Sequence, residues 1–314
     1  GLPDMLDADA KAPVWIDIDN DRDPDLFVPS QDPGERGPRL LENHGGTFTD
    51  VTDAAFGGVV SIQPVFAAAA ADFDQDGFLD LYLGRMFFPD LIARNEGDGT
   101  FSLHGLDVGL DMSLTVSTDP AVPNENTMGL AVGDLTGDGW PDVVIGPGYP
   151  EGLGLPLIYC HTGGSLGFER CSDAFLSQDT FSQHHAPVMA DLDQDGDMDL
   201  FWSLGGPPDV LIDGQSTQRY PLLYLQDSDT PSVSVRVAGD SGDPASRHAR
   251  LTLEQDGGRT VHTLIPATQG FAARNGAWQA LPLQGTGTLS VQWPDGARAT
   301  AAVESGHRIV IQHP

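Results

Sequence analysis

The chain is short of positive charge. Fifteen lysines and arginines face 46 aspartates and glutamates over 314 residues, a formal charge of −31 with histidine neutral, and the single lysine is Lys11. Binding nucleic acid through its phosphates requires a basic stripe, and so does attraction to an anionic bilayer; neither is expected here. With one amine available, lysine chemistry has almost no candidate. Apolar runs are short as well, and none approaches the roughly 18 residues of a membrane helix. Catalytic signatures are scarce: His-Glu-x-x-His does not occur, and the one Gly-x-Ser-x-Gly match, at 163–167, falls in the turn between the two cysteines. The glycine-rich stretch 146–152 has no Gly-Lys-Ser/Thr ending and no following helix, so it reads as a loop and not a phosphate cradle. Cysteine is scarce too. Cys160 and Cys171 flank the turn 163–167 at a spacing suited to two facing strands. A disulfide stapling that hairpin, and with it an oxidising compartment, is the expectation; two buried free thiols are the alternative.

Aspartate is abundant, and it is ordered. Asp72-Phe73-Asp74-Gln75-Asp76-Gly77-Phe78-Leu79-Asp80 places carboxylates at positions one, three, five and nine between two apolar runs. Such side chains converge only around a cation, and a hard ion with six to eight oxygen ligands at roughly 2.3–2.6 Å, such as Ca²⁺, fits them. The pattern recurs as Asp17, Asp19, Asp21 and Asp25; as Asp134, Thr136, Asp138 and Asp142; and as Asp191, Asp193, Asp195 and Asp199. Position six is Gly77, Gly139 and Gly196 in three copies and Arg22 in the first. The copies begin 55, 62 and 57 residues apart, so the chain is an array of repeats. Arg22 brings a cation to the first loop and Thr136 removes a carboxylate from the third. The second and fourth loops are therefore expected to bind more tightly.

These loops start like EF-hands and end differently. Position twelve, where an EF-hand needs a bidentate Glu, is Val28, Leu83, Ile145 or Trp202. Side chains at one, three, five and nine plus the backbone carbonyl of position seven (Asp23, Phe78, Trp140, Asp197) form the expected coordination. About four Ca²⁺ per chain would leave a charge near −23, still acidic. Short β-branched and aromatic runs on both sides of the loops predict strands.

The repeated Asp-x-Asp-x-Asp-Gly-x-x-Asp-Leu, followed by an Asn-x-Gly-Gly-Thr-Phe type turn at 43–48 and again at 95–101, resembles the FG-GAP or VCBS repeats of integrin-α-like β-propellers over roughly residues 14–230. The C-terminal part, with Val291-Gln292-Trp293-Pro294-Asp295-Gly296 and the earlier Gly270-Phe271, is similar to the ASPIC/UnbV domain. It departs from that family where Ser246-Arg247-His248-Ala249-Arg250 replaces Gly-Ala-Arg, and where 281–285 replace Phe-Gly-Leu-Gly. The expected fold is all-β: four blade-like repeats (1–230) followed by a small antiparallel β domain (231–314). Four repeats are fewer than the seven blades of the integrin-type propeller, which leaves a smaller or incomplete propeller, or a piece of a longer parent, as open readings.

Within the repeats, Ala67 to Ala71 reads as a small-residue strand near a propeller axis or as a short helical turn. Gly45-Gly46 read as a tight hairpin, 111–127 as a linker or long loop, and 227–231 as a boundary. Beyond it, period-two alternation at 233–237, 249–253, 260–264, 289–293 and 308–312 predicts half-buried strands around the Gly257-Gly258 turn.

The expected function is a secreted or extracytoplasmic (periplasmic or cell-surface) calcium-stabilised module that binds a protein or carbohydrate. Residues 1–4 lack a signal-peptide pattern, as in a form from which a signal has been removed. The alternative is an enzyme, a lyase or cyclase acting on a polysaccharide or natural product, with the adjacent His184 and His185 as candidate groups and a surface-loop role as their plainer reading. Phe87, Phe88 and Tyr149 read either as a binding patch or as packing beneath loops.

Overall fold

The structure, a computed structural model, describes residues 10–32, 37–58, 62–86, 88–110, 126–147, 156–175, 183–205, 211–212, 215–216, 221–227, 230–238, 249–258, 260–264, 278–293 and 295–314. Tyr149, Phe87, Gly270-Phe271, Ser246 to His248 and nearly all of the 111–127 stretch lie outside the described residues.

Three four-stranded antiparallel meanders and a three-stranded one follow in chain order. The first holds β1 (Val14–Ile16), β2 (Asp25–Val28), β3 (Arg39–His44) and β4 (Thr47–Asp50). The second holds β5 (Ala67–Ala71), β6 (Asp80–Gly84), β7 (Leu91–Asn95) and β8 (Phe101–His104). The third holds β9 (Thr127–Gly133), β10 (Asp142–Pro147), β11 (Leu157–His161) and β12 (Phe168–Arg170). The fourth pairs β13 (Gln183–Ala190) with β14 (Asp199–Gly205), and β14 with β17 (Leu222–Tyr224), while the short β15 (Leu211–Ile212) and β16 (Gln215–Ser216) pair with each other.

The first strands β1, β5, β9 and β13 are successive neighbours, so the four sheets stand side by side as propeller blades without closing a barrel. Ala67 to Ala71 form such an inner strand and not a helical turn, because small side chains let adjoining blades approach there. Strands in the middle blades are apolar on both faces: Leu81 and Leu83 pack toward the first blade, Tyr82 toward the third, and all three are fully buried. Each such side chain is worth roughly 1.5–3 kcal/mol in removal from water. Cys160 and Cys171 are joined, closing the β11–β12 hairpin.

The C-terminal unit is a two-sheet sandwich. One sheet has the order β20 (Thr260–Leu264), β19 (Arg250–Gln255), β22 (Thr286–Gln292), β23 (Arg298–Glu304). The other has the order β21 (Gln279–Pro282), β18 (Ser232–Ala238), β24 (Arg308–Gln312). Val233, Val235, Leu251, Leu253, Leu289, Val291 and Trp293 fill the space between them. Pairing is antiparallel except for β18 with β24, which is parallel. Strands β21 and β23 escape the period-two reading because their apolar positions are mostly alanine or proline. No helix among the described residues is long and apolar enough to cross a membrane.

One buried carboxylate ties two blades. Asp90 accepts hydrogen bonds from the Tyr82 hydroxyl (2.8 Å), the Arg85 amide (2.6 Å) and the Thr127 hydroxyl (2.6 Å). Burial raises its pKa to about 7 despite these three donors. Asp90→Ala strands three donors in the core and is expected to cost about 3 kcal/mol or more in urea denaturation, with Asp90→Asn recovering part of the loss. Equal, small effects of both substitutions would show that Asp90 does not tie the blades.

Candidate metal centre

Each acidic loop joins the first strand of a blade to the second, and its backbone follows one conformational script. Position four is left-handed in all four loops: Asn20 (φ 63°), Gln75 (58°), Gly137 (71°) and Gln194 (72°). Position six is left-handed as well: Arg22 (81°), Gly77 (94°), Gly139 (88°) and Gly196 (103°). Glycine suits position six because an L side chain there costs roughly 1–2 kcal/mol, a strain that Arg22 carries. Its guanidinium reaches the Gly296 turn of the C-terminal unit.

Side chains complete the curl. The position-three Oδ1 of Asp19, Asp74 and Asp193 accepts the amide of position five at 3.1, 3.2 and 3.3 Å. The position-five Oδ1 of Asp21, Asp76, Asp138 and Asp195 accepts the amide of position seven at 2.7, 2.9, 2.9 and 3.2 Å. These are Asx turns, two per loop except the third, where Thr136 stands at position three. The position-seven residues Asp23, Phe78, Trp140 and Asp197 thus have their amides held by position five.

Position nine has a second duty. Asp25, Asp80, Asp142 and Asp199 are completely buried and open the second strand of their blades. One oxygen of each accepts the amide of position two (Ile18, Phe73, Leu135, Leu192) at 2.7–2.9 Å. The other accepts an amide from a later strand end of the same blade (Asn43, Asn95, His161, Gln226) at 2.7–3.0 Å. Burial drives the carboxyls of Asp25, Asp80 and Asp142 up to about 7, 8 and 7. This anchor was not separable from a metal ligand by spacing alone.

Ligand atoms of Asp17, Asp19 and Asp25, of Asp72, Asp74 and Asp80, and of Asp191, Asp193 and Asp195 come within 4.8 Å of one another in the first, second and fourth loops. The third shows no such trio among the described residues: Thr136 stands where the other loops have Asp19, Asp74 and Asp193, and both oxygens of Asp134 accept amides, from Asp138 (3.0 Å) and Gly139 (2.7 Å). In the other three, one buried oxygen of the position-one residue (Oδ1 of Asp17, Asp72 and Asp191) accepts no hydrogen bond. Burial raises Asp17 and lifts Asp72 to about 7 and Asp134 to about 8. A buried, unbonded carboxylate oxygen beside like charges is costly unless a cation meets it, so the residues present fit a hard oxygen-bound ion.

Cations of the chain already lean on two loops. Arg94 pairs with Asp74 (2.5 Å), Asp76 (3.2 Å) and Glu96 (2.8 Å), and Arg250 lies 3.7 Å from Asp17. Arg94 is a competitor for the second loop's carboxylates that the ranking of the loops from Arg22 and Thr136 did not include.

The loops are also chained to one another. Asn20 Nδ2 donates to Gly77 O (3.2 Å) and Gln75 Nε2 to Gly139 O (2.6 Å), so position four of one loop holds position six of the next. Gly137 has no side chain to continue the series; Ser232 of the C-terminal unit bonds Gly196 O instead. Further contacts from that unit are Arg250 to Gly77 O (2.7 Å) and to Asn20, Ser234 to Asp191 (3.2 Å), and Arg308 to Gln194. The C-terminal unit therefore sits on the loop face of the blades.

The other candidates are placed elsewhere. His184 and His185 belong to β13 and not to a loop, and their side chains lie outside the described residues. Phe88 is half exposed, with the Arg85 guanidinium 5.0 Å above its ring.

A family model described as FG-GAP-like repeat matches residues 7–83, which takes in the first two loops. Cartilage acidic protein 1 of Homo sapiens is 24% identical over 189 residues, covering 60% of this chain and 24% of that protein. The chain thus spans about a quarter of the length of that relative.

The two kinds of carboxylate should separate on mutation. Asp199→Ala removes the buried acceptor of the partly buried Leu192 and Gln226 amides and is expected to cost about 1–3 kcal/mol in EDTA. Asp193→Ala, which loses only the exposed 3.3 Å bond from the Asp195 amide, is expected to move the metal-free melt far less and to lower the affinity for any cation the loop holds. Indistinguishable metal-free melts for the two variants would contradict the division of labour.

Proposed function

We propose that the chain is a calcium-stabilised interaction module working in an oxidising, extracytoplasmic setting, which binds a protein or glycan and carries out no chemistry of its own. The observation that supports it best is the set of buried, unbonded Oδ1 atoms of Asp17, Asp72 and Asp191, each beside two more carboxylates. All donors are oxygen and no histidine or cysteine stands in these trios, which favours Ca²⁺ over a transition metal. The ligands proposed are the side chains at positions one, three, five and nine of each loop with the position-seven carbonyls. In this reading residues 1–230 are the FG-GAP/VCBS array and 231–314 an ASPIC/UnbV-like unit docked on it. The match of residues 7–83 to the FG-GAP-like repeat and the Cys160–Cys171 disulfide agree with it.

Calcium then carries much of the stability. At 100 times its Kd one ion contributes about 2.7 kcal/mol, and four independent ions about 11 kcal/mol, comparable to the 5–15 kcal/mol of a typical domain. Elemental analysis is expected to find close to four Ca²⁺ per chain, with the third site emptied first on dilution. Thermal melting is expected at a much higher temperature in millimolar calcium than in EDTA. No calcium, or identical melts, would overturn the proposal.

A further inference from the structure

A cleft of about 470 Å³ lies between the second loop and the C-terminal sheet, within the ~300–1,000 Å³ range of small-molecule sites. Its two walls differ in chemistry. Asp72 and the Gly77 backbone form part of one. The other is the polar face of β19, β22 and β23, whose apolar face, with Leu251, Leu253, Leu289 and Val291, fills the sandwich core. Strand register sorts that polar face into rows. Arg250, Gln292 and Arg298 are cross-strand partners, and two residues further along so are Thr252, Ser290 and Thr300. Glu254, a further two residues along β19, is at the other end. A guanidinium pair, then a row of hydroxyls, then a carboxylate is the sequence of groups that a ligand in the cleft meets.

Arg298 is the telling residue. In a chain with three acids for every base it has no ion pair or side-chain hydrogen bond among the described residues, while its row partner Arg250 is already engaged by the first two loops. His262, also lining the cleft, has its pKa lowered by burial and by Arg250, so it adds a neutral polar group and no charge.

We infer that this cleft binds an acidic saccharide, the carboxylate of a uronate seated at Arg298 and Gln292 and the ring hydroxyls on the Thr252, Ser290 and Thr300 row. An arginine fork matches a carboxylate, and paired hydroxyl and amide side chains match the vicinal hydroxyls of a sugar. The strongly negative surface opposes non-specific accumulation of polyanions, so a short oligosaccharide is the fitting ligand and not a long one. This inference rests on the reading of the chain as a glycan binder, and it assigns a position and a charge to the glycan. Asp72 in the facing wall connects the cleft to the calcium proposal, since a cation held by the second loop would strengthen attraction for the uronate.

The test is isothermal titration of the full chain with digalacturonate and with neutral cellobiose, in calcium and in EDTA, with calcium content measured on the same samples. Digalacturonate is expected to bind at least tenfold more tightly than cellobiose. Arg298→Ala is expected to remove that preference while leaving the melting temperature and the calcium content unchanged. Arg298-dependent binding by a chain found to hold no calcium supports the cleft while the calcium proposal fails separately. A chain with its full calcium content that binds neither sugar, binds both equally, or binds digalacturonate equally well as Arg298→Ala overturns the inference.

Discussion

Four buried aspartates, one per blade, hold this molecule together: Asp25, Asp80, Asp142 and Asp199 each accept amides from two separate segments of their own blade. A carboxylate is the side chain for this task, because its two oxygens point apart and bind donors that a turn and a strand end would otherwise leave unpaired in the core. Burying four charges carries a desolvation cost that the amides offset only in part, as the raised pKa values of Asp25, Asp80 and Asp142 show. The remaining imbalance lies in the position-one carboxylates. Their orphaned oxygens supply a physical reason for a cation to be part of the fold.

From that constraint the larger architecture follows. Because the anchors fix the loops to their blades, side chains such as Asn20 and Gln75 can bind the neighbouring loop with little further ordering, and the blades inherit a fixed spacing. Where the chain of loop contacts stops at Gly137, the C-terminal unit takes over through Ser232, Ser234, Arg250 and Arg308. The acidic loops, blade spacing and docking of the C-terminal unit are therefore parts of one network. The cleft beside the second loop is a product of that docking.

Much of this was legible in the residues. Period, carboxylate spacing and the apolar residues at position twelve mark strand-flanked loops, and Gly45-Gly46 and Gly257-Gly258 mark hairpins, because these features are local. The position-nine anchor was harder to see, since a ligand and an amide acceptor require the same residue at the same place. Left-handed backbone at position four was hidden because Asn20, Gln75 and Gln194 reach it without glycine. Arg94 was invisible for another reason: it reaches the second loop from β7, twenty residues away from Asp74, and no spacing rule connects them. β21 and β23 carried too little apolar contrast to stand out.

The central claim is that a cation offsets the burial of these carboxylates, and the pH dependence of melting tests it directly. Between about pH 4 and pH 8 the folded, metal-free chain holds protons on Asp25, Asp72, Asp80, Asp134 and Asp142 that the unfolded chain has released. Stability in EDTA must then fall as pH rises through that window. In millimolar calcium the ion replaces those protons, and protons compete with it at low pH, so stability must rise over the same range. Melting temperatures at pH 5 and pH 8 with opposite trends in EDTA and in calcium are the predicted result. Parallel trends in the two buffers would contradict the account.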